Sequence, residues 1–212
     1  MVFELTKYLD SISPLLLVLY LLLSRTRMEK RDYLFWFLLA QTLINGYAII
    51  LDQLLDRPNL YLYHANCALS FLILSAYFRH ILTFGRAKSI VFSILFLFSL
   101  FFIVNLLLWE DLSTFNSNSF GLASLILVAY CFLYYLENLI YPKPFLITKT
   151  RNFWFVTGIL TYYASSFFIF ITYRSLTEQE IKDIGILWQI HNVVFLVLCV
   201  YLLIGYQYKP WP

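Results

Sequence analysis

Residues 152–206 read NFWFVTGILTYYASSFFIFITYR, then a charged link SLTEQEIKD, then IGILWQIHNVVFLVLCVYLLIGY. Each apolar block has about the 20 residues that a helix needs to cross the hydrocarbon core of a bilayer. Polar and small side chains recur within both at helical spacing. Trp154, Gly158, Thr161 and Ser165 follow i, i+4, i+7, i+11 and share one face, while Trp188, His191 and Asn192 follow i, i+3, i+4 and share another. A polar group turned toward lipid is costly, so both faces are expected to look into protein or a wet cavity.

Five more blocks precede these two. The apolar segments run over about 5–23, 33–52, 61–83, 88–109, 119–141, 152–174 and 184–206, joined by short links. The chain is therefore expected to be all-α: a single domain, 1–212, forming a polytopic seven-transmembrane helix bundle. Composition agrees, since 61% of the residues are hydrophobic and only 13% charged, against about 25% charged in soluble domains. MVFE precedes the first block in place of a basic leader, so that block is expected to stay as the first crossing. Pro14 lies early in it, and Pro142 and Pro144 should end the fifth helix. The fourth block, KSIVFSILFLFSLFFIVNLLLW, is nearly featureless and is placed toward lipid.

Loop charge sets the expected orientation. Arg25, Arg27, Lys30, Arg31, Arg79, Arg86, Lys88, Lys143, Lys149, Arg151 and Lys209 fall on one side; only Lys7, Arg57, Arg174 and Lys182 fall on the other. Acidic residues sort the opposite way, with Glu4, Asp10, Asp52, Asp56, Glu110, Asp111, Glu178, Glu180 and Asp183 facing the second side. By the positive-inside rule the N-terminus is outside and the C-terminus cytoplasmic. The expected location is the cytoplasmic membrane, crossed several times.

With that orientation, Asn45, His64, Asn66, Ser165, Trp188, His191 and Asn192 lie in the outer half at comparable depth, along with Gln41, Asn105 and Ser166. Such convergence suits a small ligand-binding pocket. The plainer alternative is that these groups only join helices to one another. At the inner edge, Glu137 is the only carboxylate deep in a cytoplasmic half, and it is expected to pair with Arg79 or His80 as a switch. A His64/His191 pair lacks a third ligand, so no metal and no cofactor is expected. Cys67, Cys131 and Cys199 sit singly inside apolar blocks and imply no disulfide.

Catalytic patterns are missing: the sequence has no HExxH, GxSxG, Walker A or CxxC motif. The last helix carries neither HxxxH nor a lysine for a retinal Schiff base, so no enzyme is expected. Basic residues form short flanks, which gives no support for nucleic-acid binding.

The F-W-x-V-x-G start, the small and Ser-rich middle and the closing W-x-x-H-N correspond to Phe153, Trp154, Val156, Gly158, Ser165, Ser166, Trp188, His191 and Asn192. This pattern resembles the C-terminal part of bacterial seven-helix membrane proteins, chiefly of Bacteroidota, that occur alone or as the sensor region of histidine kinases. The resemblance implies a signalling protein. No output domain follows before Pro212, so a separate histidine kinase or other membrane or cytoplasmic partner would carry the signal. The expected function is thus a membrane sensor that binds a small or lipophilic ligand in the outer half. A small transporter or channel, or a structural subunit of a membrane complex, are the alternatives.

Overall fold

Buried in hydrocarbon, a backbone must satisfy its own hydrogen bonds, and an apolar chain does so by forming helices. The computed structural model describes residues 6–24, 32–142, 146–179 and 184–208, and among them every predicted apolar block is helical and no strand occurs. The helices are α1 (Leu9–Leu23), α2 (Tyr33–Gln53), α3 (Leu60–Ile81), α4 (Gly85–Leu108), α5 (Ser117–Ile140), α6 (Arg151–Glu178) and α7 (Ile184–Gln207). A single 3-10 turn, Ile147–Lys149, precedes α6. The basic links at 25–31 and 143–145, the acidic link at 180–183 and the tail at 209–212 lie outside the described residues, as does the Pro144 stop signal.

Six helices, α2 to α7, are long and apolar enough to cross a membrane, and α1 is a shorter apolar helix of 15 residues. The chain is a polytopic helical membrane protein. Boundaries follow side-chain chemistry. Asp32 caps α2 by accepting from Phe35 N at 3.1 Å, and Thr150 caps α6 by accepting from Phe153 N at 3.3 Å. Helix α6 runs past the expected stop at Arg174, because Ser175, Leu176 and Thr177 continue the helix.

Packing closes a ring. Helix α1 touches α2 and α7, α2 touches α3, α3 touches α5, α5 touches α6, and α6 touches α7. Helix α4 lies outside the ring against α3 and α5. It is buried only at Ala87, Val91, Phe98 and Asn105, one stripe at helical spacing. The featureless helix is indeed the most outward one. Consecutive helices alternate in direction, so two ends form: a Trp188 end and an Asp32 end.

Helices α6 and α7 pack closely over two glycines. A Cβ on Gly158 would lie 2.7 Å from Tyr201 Cβ, and one on Gly205 would lie 2.5 Å from the Phe155 ring. Small residues allow this backbone proximity in a medium where apolar burial gives no driving force between helices. The Trp154 face meets α7 here, with its indole stacked on Tyr201 and Tyr208. Gly158→Ala is expected to destabilise the protein by about 1–3 kcal/mol, because Tyr201 Cβ is fixed to its backbone. Gly46→Ala, which meets nothing within 4 Å, should be neutral or stabilising, and SDS-induced unfolding of the purified protein would rank the two.

Candidate functional site

Pro14 has no N–H, so the carbonyl of Asp10, four residues earlier in α1, loses its helical donor. Asn45 of α2 supplies the missing bond, its amide donating to Asp10 O at 3.0 Å. This join fixes where α2 meets α1 and begins a buried amide cluster. Gln41, one turn from Asn45, donates to Asn66 Oδ1 at 2.6 Å and to Ser70 Oγ at 2.8 Å. Asn66 donates back to Gln41 Oε1 at 3.2 Å and reaches Asn45 Oδ1 at 3.5 Å. Two i, i+4 pairs, Gln41/Asn45 and Asn66/Ser70, thus face each other across α2 and α3.

On the opposite wall, His191 of α7 is buried against α6. Its Nδ1 lies 3.1 Å from Ser166 Oγ and its Nε2 lies 3.4 Å from Tyr162 OH. Both hydroxyls can donate or accept, so the ring is satisfied in either neutral tautomer. Trp188, Phe170 and Tyr162 pack around it with centroids 4.8, 5.0 and 5.4 Å away.

A cavity of about 20 Å³ lies between these walls, bordered by Asp10, Gln41, Asn45, Asn66, Tyr162 and His191 among others. That volume holds a water molecule and nothing larger. Above it, at the Trp188 end, opens a vestibule of about 210 Å³ reaching the surface past Lys7, Asp52 and Asn59. Asp10, Asn45, Tyr63 and Trp188 border both spaces and form the partition. Tyr63 meets Trp188 edge-on at 5.4 Å.

The structure brings together Asn45, Asn66, Trp188 and His191 from the expected set and separates the other three. Ser165 is exposed, and its neighbour Ser166 is the buried partner of His191. The reason is angular: one residue on a helix is a turn of about 100°. His64 ties α3 to the α4–α5 link, with Nε2 at 3.0 Å from Thr114 O. Asn192 diverges from His191 and donates to the carbonyls of Thr6 (3.1 Å) and Lys7 (3.0 Å), fastening α7 to the chain before α1. Asn105 belongs to a separate cluster with Ser119 and the buried Glu110, which Arg174 approaches at 3.7 Å.

Glu137 does not pair with Arg79 or His80. Its Oε1 accepts from Thr83 N at 2.7 Å and from the Thr83 hydroxyl, in the link leaving α3. Arg79 and His80 occupy the exposed side of α3; the guanidinium lies over Phe92 and the imidazole against Tyr33. Thr83 lies beyond the helix end and is the group that turns toward α5. The ion pair at this end joins other residues. Arg151 of α6 meets Asp32 at 2.5 Å, Tyr206 of α7 donates to Asp32 at 2.9 Å, and Arg151 lies between the Phe155 and Tyr206 rings. No local pattern announces a pair separated by 119 positions.

Leu38, Leu74, Leu127, Val156, Ile159 and Leu198 are fully buried in the apolar core. No group of three or more potential metal ligands occurs among the described residues. No protein-family model, curated protein or solved structure matches the chain. Tertiary position alone therefore bears on the site.

The Pro14 relationship gives a double-mutant test. Asn45→Ala should cost about 1–2 kcal/mol, as it strands a buried carbonyl. In a Pro14→Ala background the residue 14 N–H can serve that carbonyl, so the cost should fall by about 1 kcal/mol. SDS unfolding of the four proteins measures the coupling, and strict additivity would contradict the account.

Proposed function

We propose that this chain is a membrane sensor of seven crossings, with its N-terminus outside and its C-terminus in the cytoplasm of a bacterial inner membrane. A small polar ligand enters the vestibule, and the response passes along α2, α6 and α7 to the Asp32 end. The observation that carries this reading is the partition. Asp10, Asn45, Tyr63 and Trp188 border both the open vestibule and the water-sized cavity, so an occupant of the first presses directly on the walls of the second. Polar lining favours a small polar ligand over a lipophilic one.

The same three helices reach both polar ends. Gln41 and Asn45, Tyr162, and His191 line the cavity, while Asp32, Arg151 and Tyr206 of the same helices join at the far end. A ligand that prefers one arrangement of α2, α6 and α7 would shift the other end by its differential affinity. The resemblance to kinase sensor regions supports a separate signalling partner on the cytoplasmic side.

Orientation is tested with a membrane-impermeant maleimide, since Cys67, Cys131 and Cys199 are all buried. Gln53→Cys should label in intact cells and Thr148→Cys only after lysis; the reverse pattern would invert the topology. Coupling is tested without any ligand, because linkage between two sites is reciprocal. Tyr206→Phe loosens the Asp32 end, and it should raise the labelling rate of a vestibule Ala48→Cys by about fivefold. An unchanged rate would leave a rigid bundle and remove the signalling reading.

A further inference from the structure

We propose that the vestibule takes a small protonated amine, with its ammonium on Asp10 and its apolar body against Trp188 and Tyr63. This rests on the vestibule being a ligand site, and it adds the ligand's charge and class.

Asp32 has Arg151 at 2.5 Å, and Glu110 has Arg174 at 3.7 Å together with the Asn105 amide and the Asn118 N–H. Glu137 accepts twice from Thr83. Carboxylates at membrane depth come paired because an isolated one is costly there. Asp10, like Glu137, has no cation among the described residues, but unlike Glu137 it borders open space. Its carboxylate accepts from the adjacent Ser11 hydroxyl at 3.2 Å, and no ion pair among the described residues includes it. The Asn45 amide donates to the Asp10 carbonyl that Pro14 leaves open. Asp10 borders both the cavity and the vestibule.

The surroundings narrow the class of ligand. The described vestibule lining carries two carboxylates, Asp10 and Asp52, and one cation, Lys7, which is exposed at the rim. That balance attracts a cation and repels an anion. Trp188 and Tyr63 offer aromatic surface beside the carboxylate, which suits an organic cation. A calcium ion takes 6–8 oxygen ligands, and two separated carboxylates fall well short of that set. A space of about 210 Å³ is smaller than a drug-sized pocket and admits one small molecule.

Isothermal titration calorimetry on the purified full chain in lipid nanodiscs tests this. The probes are phenethylamine, its neutral counterpart 2-phenylethanol and the anionic 3-phenylpropionate. Phenethylamine should bind, with the other two weaker by about tenfold or more. Asp10→Asn should weaken phenethylamine by about tenfold, Asp10→Glu should retain most of the binding, and Asp111→Asn, on the exposed α4–α5 link, should leave it unchanged. Gel filtration and SDS unfolding establish that each variant is folded.

If phenylethanol binds as tightly as phenethylamine, or if folded Asp10→Asn keeps wild-type affinity, the cation class is wrong while the vestibule remains a site. If no probe binds, the amine inference falls. The sensor reading then stands or falls separately on the Tyr206→Phe labelling rate, which uses no ligand.

Discussion

Inside hydrocarbon a polar group has no water to turn to, and that single cost accounts for how the polar side chains of this bundle are arranged. One missing backbone N–H, at Pro14, leaves the Asp10 carbonyl open and draws Asn45 across from α2. Asn45 and Gln41 then present their remaining groups to Asn66 and Ser70 on α3. At the far end the Asp32 carboxylate caps α2 and holds Arg151 and Tyr206, so that one side chain serves three helices. Glu110 does the same at the α4–α5 link, where Asn105, the Asn118 N–H and Arg174 converge.

These joins differ in what surrounds them. Between α6 and α7 the backbones meet over Gly158 and Gly205 with aromatic rings pressed against both, which leaves little play. At the Trp188 end the walls are held by side-chain amides and hydroxyls around a cavity of about 20 Å³, with open space above it.

Much of the architecture was legible in sequence. Apolar blocks matched helices α2 to α7 within a few residues, and the featureless fourth block became the outermost helix. Part of the site was legible too: Asn45, Asn66, Trp188 and His191 do border one cavity. Periodicity was too coarse to choose Ser166 over Ser165, or to see that Asn192 turns to the start of the chain while His191 turns to α6. Asp10, one of the acidic charges of the outer flank in sequence, borders both the cavity and the vestibule.

What sequence by itself determined is the set of helices, because crossing a bilayer depends on length and apolarity that each segment carries alone. Which helices touch was decided only in three dimensions. Asp32 and Arg151 are 119 residues apart, and Asn192 reaches back 186 residues to Thr6. Polar groups of this kind take whatever partner the closed ring brings within reach, so Glu137 took Thr83 instead of a neighbouring cation. Closure of α7 onto α1 creates the vestibule and the cavity beneath it, and no stretch of the chain contains that closure.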